Sequence, residues 1–179
     1  MTPAIATPAI LTKDELRSSL ENEVRILLHL ISKVEPRMLD YRPTPKQRSM
    51  LELLQYLVIV CPVQLRIIQS GTFDIEAFRA RWAPEQQKAA AMGLEEAKAA
   101  IAKQPEVIRD VVNSLSDADL RQEMEMFGTR ATRGALLVNM VHSHYVAYRM
   151  QLFLYLKGCG LEELNTMDLW AGRSAAMGA

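Results

Sequence analysis

His144-Tyr-Val-Ala-Tyr148-Arg-Met-Gln151 is the stretch that decides how this chain is read. It lies in a long helical run near the C-terminus. Residues 144 and 148 are one turn apart on one face, so their side chains converge. Two histidines at that spacing would form half of a metal site, but the second position here is Tyr148. Counting from Leu137, residues Met140, Val141, His144, Tyr148, Gln151, Leu152 and Tyr155 recur at helical spacing. Most are apolar and mark a buried face, with His144, Tyr148 and Gln151 as polar tips on or beside it. Buried polar atoms need partners, and a core histidine bonded to a neighbouring Tyr or Glu satisfies that need without a metal. Thr132 caps this helix, which is expected over about 133–157, with Gly158 as a left-handed capping glycine. His142 lies about 200° around the helix from His144, and His29 about 200° from Leu27. Both are expected at the surface, and Arg149 is expected as a solvated or interface cation.

Three further long helices precede this one. Thr12-Lys-Asp-Glu15 is a capping box. The apolar residues Leu16, Leu20, Val24, Leu27, Ile31 and Val34 then predict a helix over about 13–34. Ser49-Met-Leu-Glu52 opens a second helix, to about Ile68, with Gly71 at its exit. Pro62 should kink that helix or leave a carbonyl unpaired. Phe73, Ile75, Phe78 and Trp82 suggest a short amphipathic helix, and Pro84 fits the first turn of another. Leu94 to about Ser114 reads as the third long helix, kinked at Pro105. Glu123–Phe127 alternates polar and apolar residues and is expected to be extended. Arg130 and Arg133, at the start of the last helix, read as part of a solvated loop. Four long helices with almost no strand signal predict an all-α four-helix bundle with short extra helices between the second and third.

The chain has 179 residues, which suits a single domain with a real core. Residues 1–11 read as a loose N-terminal arm, without the basic start of a signal peptide. Residues 161–179 read as a C-terminal tail anchored by Trp170. Lys plus Arg equals Asp plus Glu at 21 each, so no electrostatic footprint for nucleic acid or an anionic membrane is present. The longest apolar stretch, Leu57–Val63, falls short of the about 20 residues a membrane span needs. Cys61 and Cys159 do not suggest a disulfide framework, and a reducing cytoplasm is the expected compartment. The sequence contains no phosphate-binding glycine loop, no His-Glu-x-x-His and no di-iron Glu-x-x-His.

The chain resembles the DinB/YfiT-like family of four-helix-bundle proteins, a family of proposed metalloenzymes. Tyr41-Arg-Pro-Thr-Pro-Lys-Gln-Arg-Ser-Met-Leu-Glu-Leu-Leu-Gln-Tyr-Leu57 is similar to the family's entry to its second helix, which ends Glu-Leu-Leu-x-His-Leu. His144–Gln151 resembles the family's His-x-x-x-His-x-x-Gln, and Leu152–Gly160 followed by Leu169-Trp-Ala-Gly172 resembles its usual ending. The resemblance implies three ligand positions for a metal, and these fall on Tyr56, His144 and Tyr148. Only His144 keeps the family's histidine. A neutral tyrosine is a poor ligand for zinc or nickel, because its pKa near 10 must fall before it binds as phenolate. One His and two phenolates would better suit ferric iron.

The site is therefore expected to be a degenerate metal site. Tyr56, His144, Tyr148 and Gln151 would line a pocket in the bundle cavity, binding or acting on a small molecule, with His144 as the catalytic candidate. No cofactor is expected; a bound metal would be Zn, Ni or Fe. The resemblance implies an alternative, a metal-dependent thiol S-transferase or isomerase. A non-catalytic homodimer joined through exposed apolar helix faces is a second alternative, and a homodimer is also the expected assembly.

Overall fold

The computed structural model describes residues 11–174, so all of the expected arm but Leu11, and residues 175–179 of the tail, lie outside the described residues. Helix α1, Lys13–Ile31, begins at the expected box: the Thr12 hydroxyl accepts from the Glu15 N–H at 3.2 Å, and the Glu15 carboxylate accepts from the Thr12 N–H at 2.8 Å. It stops short of Val34, where the N–H groups of Lys33 and Val34 turn to the carbonyls of Leu30 and Ile31. Helix α2, Met50–Ser70, has the same reciprocal cap between Ser49 and Glu52. Gly71 ends it at φ +75°. At 21 residues α2 has the length and apolarity of a bilayer span, but most of that stretch is buried in the bundle, as in any central core helix.

Pro62 lies inside α2 and has no N–H for the carbonyl of Val58. The Gln104 side chain supplies the missing donor: its Nε2 lies 2.8 Å from the carbonyl oxygen of Leu57 and 3.3 Å from that of Val58. The carbonyl that the proline frees is thus satisfied by another helix.

Between the second and third long helices, the two short helices expected are one. Helix α3, Ile75–Ala90, carries Pro84 in its interior and packs on the outside of α2. The expected third helix is instead interrupted. Helix α4, Leu94–Ala102, ends at Lys103, and α5, Gln104–Ser114, starts with Pro105 in its first turn, where a missing N–H costs nothing. Helix α6, Asp117–Arg121, follows. Strands β1, Glu123–Met126, and β2, Thr129–Thr132, then form an antiparallel hairpin with Met126 opposite Thr129. Its two-residue turn, Phe127-Gly128, has positive φ at both positions, which matches the strand twist.

The last helix has three parts: α7, Arg133–Leu136, a π-helical segment, Leu137–His142, and α8, Ser143–Gly158. With α1, α2 and the α4–α5 pair it completes the all-α four-helix bundle, α1 and α2 each packing on α5 and α8. Leu20, Leu27, Leu53, Leu57, Val111 and Leu152 are fully buried between them. Gly158 is not the left-handed cap; Gly160 takes that conformation at φ +95°. Gly158 is needed because a Cβ there would overlap the hydroxyl of Tyr41.

Arg133 is buried, not solvated: Nε donates to the carbonyl of Ile68 at 2.9 Å, and the guanidinium also reaches the carbonyl of Gln69 and the side chains of Asp119 and Gln122. It caps the end carbonyls of α2 that no helical N–H can reach. Arg130 is exposed but pairs with Glu123 across the hairpin at 3.0 Å. Trp170 is 61% exposed, and the tail is held instead by Leu164, Leu169 and the buried Asp168. Asp168 accepts from the His29 ring at 2.8 Å, so His29 is a half-buried docking residue rather than a free surface one. Arg25 donates to the carbonyl of Ala171 at 2.9 Å.

Candidate functional site

The buried stripe of the last helix keeps Val141, Leu152 and Tyr155 of the face expected, but passes through Tyr145 and Arg149 instead of His144 and Tyr148. Val141, Tyr145, Arg149, Leu152 and Leu156 are buried, while His144, Tyr148 and Gln151 are half-buried along its edge. The stripe meets α1 on one side and α2 on the other.

On the α2 side, the Tyr56 and Tyr148 rings pack edge to face with centroids 5.0 Å apart, and the His144 ring lies 5.7 Å from Tyr148. The His144 Nδ1 bonds to the carbonyl oxygen of Met140. A carbonyl can only accept, so Nδ1 carries a proton. Burial pushes the Tyr56 hydroxyl pKa up, and the neighbouring Tyr148 hydroxyl pushes it further. Tyr56 is therefore a neutral phenol at any physiological pH. Gln151 stands apart from the three rings: its amide donates to the Tyr155 hydroxyl at 2.6 Å, and it lines a different groove, with Tyr41 and Pro43.

The cleft beside this cluster lies between α2 and α3, with a volume of about 350 Å³. Tyr56 and Trp82 form its walls, Ile59 and Ala89 its buried floor, and Arg48 its mouth. Of the four expected pocket residues, only Tyr56 lines it. Arg48 and Trp82 carry little sequence signal as site residues: one is a cation directly before the Ser49 cap, the other an aromatic on an amphipathic helix. An unbroken series of ring contacts of 6.0 Å or less runs His144, Tyr148, Tyr56, Trp82, Phe78, Phe127 and Phe73. The rings thus connect α8 through α2 and α3 to the hairpin turn, with Tyr56 and Trp82 as the members that line the cleft.

Two other buried polar groups flank the cluster. The Tyr145 hydroxyl donates to Gln104 Oε1 at 2.7 Å, and the Cys61 thiol points to the carbonyl of Val141 at 3.8 Å. Burial pushes that thiol pKa up, which makes it a packed, unreactive group. On the α1 side, Arg149 is the reverse of a solvated cation. Its side chain is 2% exposed, with Nη1 2.8 Å from the carboxylate of Glu23. His142, expected at the surface, is half-buried with Nε2 3.8 Å from the same carboxylate.

The metal that the resemblance implies does not suit these donors. Zinc and nickel sites take imidazole, thiolate or carboxylate. The three equivalent positions offer one imidazole and two phenols, of which Tyr56 is driven away from ionisation. Among the described residues, no three His, Cys, Asp or Glu side chains are grouped as a metal site needs.

The sequence pattern of the DinB superfamily matches residues 19–145, well over half of the chain. The chain belongs to the DinB superfamily. The matched span includes Tyr56 and His144 and stops before Tyr148. Among solved structures, the chain is similar to a DinB-like protein from Bacillus subtilis, at 18% identity and a TM-score of 0.64, covering 84% of this chain and 95% of that one. It is also similar to a protein described as a DinB family member from Exiguobacterium sibiricum, at 19% identity and a TM-score of 0.67, covering 88% and 99%. At these identities the likeness concerns the fold. No curated protein matches the chain.

Proposed function

We propose that this DinB superfamily member binds a small molecule beside a neutral aromatic cluster that fills the family's metal position, in a reducing cytoplasm where Cys61 and Cys159 remain free thiols. The observation that carries the reading is the edge-to-face contact of Tyr56 with Tyr148, with the Tyr56 hydroxyl kept protonated by burial. Two phenols and one imidazole pack ring against ring, so the cluster holds together without a central charge. It also leaves a ligand-sized cleft next to it.

Elemental analysis tests this directly. Protein purified without added metal, and then loaded with zinc, nickel or iron, is expected to hold no stoichiometric metal. Stoichiometric metal that is lost in His144→Ala would instead favour the metal-dependent thiol transferase or isomerase. The double variant Tyr56→His, Tyr148→His is expected to acquire zinc. Its failure to do so would mean that the three positions do not correspond to the family's ligands.

One observation favours a homodimer as a second reading. Leu154 and Met150 are exposed on the outer face of α8, beside a groove formed with Tyr41 and Pro43. Sedimentation velocity should then show a dimer that Leu154→Glu converts to monomer.

A further inference from the structure

The cleft between α2 and α3 has an unbalanced charge. Its only acid, Glu52, is already engaged: it accepts from the Ser49 N–H at 2.7 Å and pairs with Arg42 at 3.4 Å. Its only cation, Arg48, has no carboxylate within ion-pair distance among the described residues. The Arg48 guanidinium carbon sits 4.0 Å over the Tyr56 ring. Stacking in this way holds the plane of the group while leaving its N–H edge free for a bidentate acceptor. The Arg48 backbone is fixed as well, since its carbonyl accepts from the Tyr155 hydroxyl at 2.9 Å and the next residue is the cap of α2.

Apart from the two charged residues, the lining is Tyr56, Trp82, Ile59, Ala89 and Ala90, with the uncharged amides of Gln55 and Gln86. The Trp82 ring stands 6.0 Å from Tyr56, at 61° to it. Ile59 and Ala89 close the floor. Gln55 ties the end of α3 to α2 by donating to the carbonyls of Ala90 at 3.2 Å and Met92 at 2.8 Å, so the width of the cleft is set by hydrogen bonds. Its volume of about 350 Å³ lies within the range of small-molecule sites.

We propose that this cleft binds a small aromatic carboxylate, with its ring against the wall that Tyr56 and Trp82 form together and the carboxylate on the free edge of Arg48. The assignment rests on the small-molecule reading above and specifies its ligand class. The aromatic walls recognise the body, and the unpaired guanidinium recognises the charge. Neither feature depends on a metal or on His144.

The probes are 3-phenylpropionate and its uncharged counterpart 3-phenylpropanamide, added to the full-length Trp170→Phe variant. Trp82 is then the only tryptophan and reports from inside the cleft. Saturable change in Trp82 emission is expected with the carboxylate, confirmed by calorimetry, and about tenfold or more weaker binding with the amide, the size of one charge-assisted hydrogen bond. Arg48→Gln should abolish that preference, while Tyr148→Phe should keep it. Arg48 is exposed, so circular dichroism of the variant should match the parent. Equal binding of acid and amide overturns the anion assignment and leaves the small-molecule reading standing. A preference that survives Arg48→Gln overturns the role of Arg48. No saturable response to either probe overturns both the ligand class and the cleft as the binding site.

Discussion

The two sides of α8 solve the same problem with different chemistry. Toward α1, a full charge pair, Glu23 with Arg149, is buried. Toward α2, neutral groups do the work: Tyr145 with Gln104, and Tyr148 with Tyr56. The charged side is closed, covered in part by Trp170, whose ring lies 5.5 Å from the guanidinium. The neutral side borders an open cleft. The comparison teaches where function belongs. Removing one member of a buried ion pair strands the other charge, so such a pair tolerates little change. A half-buried phenol can lose its hydroxyl and still pack, so the neutral side is the one free to carry a ligand.

Arg149→Ala should give the largest effect. It leaves the Glu23 carboxylate, whose pKa burial already raises, without its counter-charge. A loss of about 3–5 kcal/mol in urea denaturation is expected. The present pair is not fully satisfied: Arg149 Nε, Arg149 Nη1 and Glu23 Oε2 make no well-directed hydrogen bond among the described residues, although the last two lie 2.8 Å apart. The double replacement Glu23→Leu, Arg149→Met is therefore expected to recover most of the loss or exceed the parent. If the single variant costs under about 1 kcal/mol, the charged side is no more demanding than a surface pair and the contrast fails.

On the neutral side, Gln104→Leu strands the carbonyl that Pro62 frees and the Tyr145 hydroxyl together. It should cost about 1–3 kcal/mol, measured in the same way. A cost equal to that of Arg149→Ala would erase the distinction between the two sides.

The limits of the sequence follow from the range of each interaction. Both capping boxes, the start of each long helix and the turn from His144 to Tyr148 are local, so spacing alone reveals them. The break at Lys103 and the union of α3 across Pro84 depend on how packing resolves a proline, which spacing cannot decide. Arg149 and Glu23 each look like surface charges until α1 and α8 meet. Arg149 does fall one turn after Tyr145 and three residues before Leu152, on the most apolar line of the helix. Strand β2, Thr129–Thr132, has a polar sequence with no strand pattern and exists through its pairing with β1. Likewise Arg48 and Trp82 come together only because α3 folds back along α2.

The tail over α1 offers a smaller test of the charged side. Burial pushes the Asp168 carboxyl up, but hydrogen bonds from His29, the Asn165 N–H and Ser174 together hold it below its ordinary value. A depressed carboxylate contributes stability that is present above its unfolded pKa of about 3.9 and is lost as pH falls through the folded value. Asp168→Asn should therefore lower Tm by about 2–4 °C at neutral pH, and the difference from the parent should shrink progressively below about pH 4. A difference that stays constant down to pH 3 would show that the charge of Asp168 contributes nothing to docking.

Tyr148→Phe should have the smallest effect and separates the sides most sharply. Tyr148 is half-buried, so its ring keeps the contacts with Tyr56 and His144 when the hydroxyl is removed. The expected change in stability is under about 1 kcal/mol, since a half-exposed hydroxyl exchanges its partner for water. The change should be visible instead in Tyr56, whose pKa is raised in part by the Tyr148 hydroxyl. Ultraviolet titration should find Tyr56 ionising at lower pH in the variant than in the parent. An unchanged titration would mean that burial alone holds Tyr56 neutral, and that the two hydroxyls act independently. A stability loss comparable to that of Gln104→Leu would mean that the neutral side is as closed to change as the ion pair across the helix.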